Sequence, residues 1–236
     1  MTTQLAMRTW GDGPRTAALV HGFSDDATTW WSVGPALAAH GFTVHAPDLR
    51  GHGASPRCTS YALEEFAADL VAALPQGVDL AIGHSLGALA LAAAVPELSP
   101  GEVVLVDPPW GRSLGQLGVG AAPLPTQREG LSAEADAWTE SDIAVELSSN
   151  ALTDPAIPAL ILTALGPDTV LTMPAPSAPT LLLVPEREPL LSLETQRAAA
   201  TLGYGVQVVP GAGHVIHRDA LAAFLGALPL QGALAS

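Results

Sequence analysis

Gly83-His84-Ser85-Leu86-Gly87 lies between an apolar run, Val78 to Ile82, and a run of small residues, Ala88 to Val95. The first run reads as a buried strand and the second as a helix. The chain must therefore turn sharply at a serine that has a glycine two positions before it and another two positions after. In such a turn the serine backbone is strained. A side chain at either glycine would strike neighbouring backbone. The hydroxyl is left standing at the end of the strand, where the following helix aims its positive end. A serine that only caps the helix is the alternative reading.

The rest of the chain repeats the theme of strand followed by helix. Leu5 to Trp10, Ala17 to Val20, Phe42 to Ala46, Glu102 to Val106, Thr180 to Val184 and Val206 to Val209 read as short strands. Thr28 to Ala39 has helical spacing. In Tyr61 to Leu74, apolar positions 63, 66, 70 and 74 share one face. Leu190 to Leu202 and Ala220 to Leu228 read as helices. Between 108 and 178 the alternation stops. That stretch is rich in Gly and Pro, with a helix start expected at Thr126–Glu129 and another at Ser141. The expectation is an α/β fold: a mostly parallel sheet with helices on both faces, residues 1–107 and 179–236 forming the core and 108–178 a small helical lid insertion.

In such sheets the chemistry gathers at the carboxyl ends of the strands. His21, Asp48, Ser85, Asp107, Glu186 or Glu188, and His214 all fall there. Composition limits what that chemistry acts on. The chain has nine Lys+Arg, all of them Arg, against 23 Asp+Glu, a formal net charge of −14. This weighs against nucleic acid and anionic membranes, which require basic patches. Cys58 is the only cysteine, so neither an internal disulfide nor a thiolate metal cluster is expected. No stretch reads as a transmembrane helix or a signal peptide, and a cytoplasmic location is expected. No metal or cofactor is implied.

Taken together, these motifs resemble the α/β-hydrolase superfamily over nearly the whole chain. His21-Gly22-Phe23 matches its oxyanion loop, Asp48-Leu49-Arg50-Gly51-His52-Gly53 its D-x-R-G-x-G turn, Gly83 to Gly87 its nucleophile elbow, and Gly211-Ala212-Gly213-His214 the turn that carries its histidine. The short N-terminus departs from the pattern by leaving room for one strand before the oxyanion strand. The resemblance implies a serine hydrolase acting on an ester, thioester or related acyl bond. A carbon–carbon hydrolase or cofactor-free lyase with the same residues is an alternative, and so is a slow or non-catalytic receptor-like member. The expected partner is a small molecule with an apolar acyl or alcohol part.

The resemblance also assigns roles. Ser85 is the nucleophile and His214 its base. By spacing against the family pattern, Glu188 occupies the acid position, with Asp107 and then Glu186 as alternatives. The backbone N–H groups of Phe23 and Leu86 form the oxyanion hole. Trp110, Trp138, His84 and Trp30 are candidates for substrate contact. Asp25 is a candidate either for the pocket or as the N-cap of the Thr28 helix. His21, Arg50, His52 and His217 are read as structural.

Overall fold

A computed structural model describes residues 2–131, 135 and 138–230. It contains a sheet of seven strands: β1 Met7–Trp10, β2 Arg15–Val20, β3 Phe42–Pro47, β4 Leu80–His84, β5 Glu102–Val106, β6 Thr180–Pro185 and β7 Gly205–Val209. Their order is β1-β3-β2-β4-β5-β6-β7, and only β1 runs antiparallel to its neighbour. Among the described residues one strand, β1, precedes β2.

Alternation along the strands divides the core in two. Ala18 and Val20 of β2 and Ala81 of β4 join Phe66, Leu70 and the helix after Ser85 on one face. Ala17, Leu19, Leu80 and Ile82 join Trp30, Leu37 and Phe224 on the other. The first face is covered by α2 (Leu63–Ala73), α3 (Leu86–Leu98) and α6 (Leu193–Leu202), and the second by α1 (Val33–Ala39), α7 (Ile216–Asp219) and α8 (Leu221–Ala227). α4 (Glu140–Leu152) and α5 (Ile157–Leu165) lie between β5 and β6.

Several helix starts differ from the sequence reading, four of them for a clear local reason. The expected helix from Thr28 is broken into a 3₁₀ turn, Ala27–Trp30, and α1. Its cap is Asp26, which accepts the Thr28 N–H, and not Asp25. Thr126–Glu129 opens no α-helix, only a 3₁₀ turn at Arg128–Gly130. The reciprocal box forms instead at Thr139 and Asp142 and starts α4, two residues before Ser141. α6 begins at Leu193, where the Ser192 hydroxyl accepts the Thr195 N–H.

Segment 108–178 leaves β5 through Pro108-Pro109 and rejoins β6 through Pro174, Pro176 and Pro179. It is tied to the core at its middle. The Tyr61 hydroxyl donates to Asp154 at 2.6 Å, and the Asp154 N–H donates to the Gly51 carbonyl at 2.7 Å. No helix among the described residues is long and apolar enough to cross a membrane.

Candidate active site

Ser85, Asp107 and His214 follow the carboxyl ends of β4, β5 and β7. Ser85 has φ 51° and ψ −114°, a conformation L-residues avoid. It is held there because Gly83 and Gly87 let the chain close on itself. A Cβ on Gly83 would lie 2.7 Å from the Gly87 carbonyl oxygen, and one on Gly87 would lie 2.3 Å from that of His21. The strain, on the order of 1–3 kcal/mol, is offset by this packing and by the Ser85 N–H, which donates to the Val106 carbonyl at 2.9 Å.

His214 meets Asp107, the second-ranked acid of the sequence reading. Its Nδ1 lies 2.7 Å from Asp107 Oδ2, and the Asp107 side chain is fully buried. The same carboxylate accepts the Leu190 N–H at 3.1 Å. Glu188, the first-ranked acid, makes no contact with His214. It has φ 47° and an exposed side chain, and the loop after β6 turns its backbone toward the site and its carboxylates away. Glu186, also exposed, accepts the Gly211 N–H at 2.8 Å and so braces the histidine loop from outside.

Two backbone amides face the same place. Among the described residues neither the Phe23 N–H nor the Leu86 N–H has an acceptor, and both residues line the cavity that Ser85 and His214 share. His21 fixes the Phe23 loop. Its Nδ1–H donates to the Gly22 carbonyl at 2.8 Å, which leaves Nε2 to accept the Leu49 N–H at 2.8 Å. Arg50 braces the neighbouring turn through Asp69, with Nε at 2.7 Å and Nη2 at 3.0 Å.

Behind His214 lies a buried polar layer. His84 Nε2–H donates to the His214 carbonyl at 3.1 Å, while its Nδ1 has no hydrogen-bond partner among the described residues and lies 4.0 Å from Asp25 Oδ2. The His217 ring lies beside the His84 ring, at 5.2 Å between centroids. Arg218 binds Asp25 at 2.7 Å and Glu146 of α4 at 2.5 Å. Trp31 reaches Asp142 of the same helix at 2.9 Å, and Trp138 reaches Asp219 at 2.6 Å. Burial holds the His84 and His217 rings well below the ordinary histidine range. For His84 the charges of His214 and His217 add to the effect, and for His217 those of Arg218 and His214. Burial also raises the Glu146 carboxyl, with Asp25 adding to it, in spite of the Arg218 contact.

The shared cavity has a volume of about 310 Å³. Phe23, Tyr61, Phe66 and Leu89 line its core side, and Leu117, Ile157, Ile161, Leu165 and Leu171 its outer side. The four aromatic and imidazole candidates from the sequence do not form its walls. Trp110 is buried against Tyr204, Trp30 against His217, His84 lies beneath the site, and Trp138 is turned to Asp219 and Arg218. The aliphatic lining was missed because it comes from the segment with the weakest pattern. Its available signal is the absence of any charged residue at 113–127 and 155–167.

The sequence profile described as the Alpha/beta hydrolase family matches residues 18–227, and the chain belongs to that family. Over 85 residues it is 39% identical to the pimeloyl-(acyl-carrier protein) methyl ester esterase of Sodalis glossinidius (strain morsitans), a match covering 36% of this chain and 32% of that protein. Among solved structures, an E-2-(acetamidomethylene)succinate hydrolase superposes with a TM-score of 0.76 at 25% identity, covering 94% of this chain and 92% of that one. A thermophilic esterase from Thermogutta terrifontis gives 0.66 at 25% identity, covering 91% and 88%.

Proposed function

We propose that the chain is a serine hydrolase of carboxylic ester or thioester bonds, with Ser85 as nucleophile, His214 as base and Asp107 as the acid. The observation that carries this reading is the 2.7 Å contact between buried Asp107 and His214, on a cavity wall that also holds Ser85 and two amides without acceptors. A family relative named as a methyl ester esterase is consistent with it.

In this reading Ser85 Oγ attacks the substrate carbonyl as its proton passes to His214 Nε2. Asp107 accepts the Nδ1–H, fixes the tautomer and stabilises the imidazolium. The oxyanion takes hydrogen bonds from the Phe23 and Leu86 amides. Collapse expels the leaving group, which takes the proton from His214. Water, deprotonated by the same ring, then releases the acid from Ser85. No Ser85–His214 hydrogen bond is made among the described residues; in an empty site such bonds are often long and tighten when substrate binds. Segment 108–178 serves as the lid, since its residues form the outer wall of the cavity. The test is labelling by a fluorophosphonate. Stoichiometric modification of Ser85, found by peptide mass spectrometry and lost in Ser85→Ala, is expected. A folded wild-type chain that takes no label would overturn the reading.

A further inference from the structure

Among the described residues, the walls of the cavity contain no Arg, Asp or Glu. The polar side chains on them are Ser85, His214 and Tyr61. The first two are committed to the proposed chemistry. The Tyr61 hydroxyl is already used, since it donates to Asp154 at 2.6 Å and accepts the Cys58 N–H at 2.9 Å. Arg112, close by in the chain, is turned to the Leu190 and Pro189 carbonyls, with contacts of 2.8 Å and 3.3 Å. Away from the Phe23 and Leu86 amides and His214, a charged group carried into this space loses its water and gains no partner among the lining side chains.

The outer wall is of the same kind. α5 reads IPALILTAL and turns Ile157, Pro158, Ile161 and Leu165 to the cavity. These fall at helical spacing, so one face of a helix without charges roofs the space. At about 310 Å³ the cavity lies at the small end of the range for small-molecule sites.

We propose that this site selects an uncharged aliphatic chain of medium length and rejects the same chain ending in a carboxylate. The inference rests on the hydrolase reading for its kinetic test but not for its binding test. The aliphatic chain belongs to the acyl or to the alcohol side of the scissile bond, and the experiment separates the two.

Two ester series are compared: methyl butyrate, hexanoate and octanoate, and butyl, hexyl and octyl acetate. In one of them kcat/KM should rise about threefold to fourfold for each methylene, up to about eight carbons. Monomethyl adipate should be at least about a hundredfold poorer than methyl hexanoate, and monomethyl suberate likewise against methyl octanoate. Ile161→Trp, on the half-buried face of α5, should lower the octyl-to-butyl ratio tenfold or more in the favoured series.

Binding is read without turnover, as thermal stabilisation of Ser85→Ala by methyl octanoate and by monomethyl suberate. Stabilisation by the first alone is expected. Equal stabilisation by both, or by neither, overturns the inference, as do equal rates on the neutral and charged members of a pair. Selective binding with no hydrolysis of any ester by the wild type would instead overturn the hydrolase reading and leave the cavity's selectivity standing.

Discussion

Asp107 Oδ2 and His214 Nδ1 lie 2.7 Å apart although 107 positions separate the two residues. The carboxylate is fully buried and the imidazole partly open to the cavity. The Leu190 N–H holds the carboxylate from the other side. Asp107→Asn should therefore lower kcat by about a thousandfold or more with far less change in KM, because an amide in that place favours the wrong tautomer. Glu188→Gln and Glu186→Gln should each retain most of the activity. Steady-state kinetics on one activated ester decides it, and the reverse ranking of Asp107→Asn and Glu188→Gln would restore Glu188 as the acid.

Removal of Ser85, the proposed nucleophile, should be as costly. Ser85→Ala is expected to reduce the rate by at least about a thousandfold while leaving the circular dichroism and denaturation midpoint close to wild type. A tenth of the wild-type rate in a purified variant would exclude Ser85 as nucleophile.

The turn around Ser85 tolerates no added carbon at Gly87, whose Cβ would lie 2.3 Å from the His21 carbonyl oxygen and 2.5 Å from that of Val20. Both contacts are with backbone and cannot be relieved by a rotamer change. Gly87→Ala should cost about 1–3 kcal/mol of stability and also displace the Phe23 loop, so activity should fall further than stability does. Denaturant unfolding and kinetics on the same preparation test this. A variant with wild-type values in both would show that the elbow is not so tightly closed.

Three buried histidines should make the fold acid-sensitive. His52 is pushed down to about 3 by burial and by the neighbouring His21 charge, and His84 and His217 are also held low, chiefly by burial. In the unfolded chain each takes its proton near 6.5, so below that pH the unfolded state binds more protons than the folded one. Their contribution is whole above about pH 6.5 and is lost as pH falls toward the folded values. The slope is about 1.4 kcal/mol per pH unit for each group, or roughly 4 for three. Unfolding free energies at pH 8, 7, 6 and 5 should be level at first and then fall steeply. His52→Asn should remove about one proton's worth of slope. A profile flat from pH 8 to 5 would contradict the burial of these rings as neutral species.

Arg218, with a 1% exposed side chain, joins Asp25 and Glu146. Arg218→Met leaves both carboxylates buried without their cation and should cost about 3–5 kcal/mol. Glu146→Gln keeps a hydrogen-bond acceptor and should cost much less, and adding it to Arg218→Met should recover part of the loss. Denaturant titration of the three variants reads this directly. Full additivity would mean that the two side chains do not interact.

The strands and the serine turn were legible because they depend on local pattern: apolar runs of strand length, and glycines where two backbones meet. The acid was not. Glu188 has the spacing, but which of two neighbouring strand-end loops sends a carboxylate to His214 is decided by the path of the loop after β6, where Leu190 gives its N–H to Asp107 and Glu188 turns outward. The cavity walls were misread for a related reason. Large aromatic side chains gain most from complete burial, so Trp30 and Trp110 went to the core, and the lining fell to aliphatic residues of a segment without periodic pattern. Asp25 shows the limit of local reading. Its neighbour Asp26 took the cap, and Asp25 took a cation 193 positions away.

The segment that roofs the cavity begins immediately after Asp107, at Pro108-Pro109, and returns through Pro174, Pro176 and Pro179. Proline fixes φ and offers no N–H, so both joints are stiff. If residues 108–178 form the proposed lid, they are a cassette with proline-stiffened ends, set beside a sheet that carries Ser85, Asp107 and His214. Exchanging the cassette between relatives would change what the cavity admits while the three side chains keep their places. The conditions on the graft are set by the core: it must bring a carboxylate for Arg218, an acceptor for Trp31 and a partner for the Tyr61 hydroxyl. Selectivity and chemistry can in this way be inherited separately.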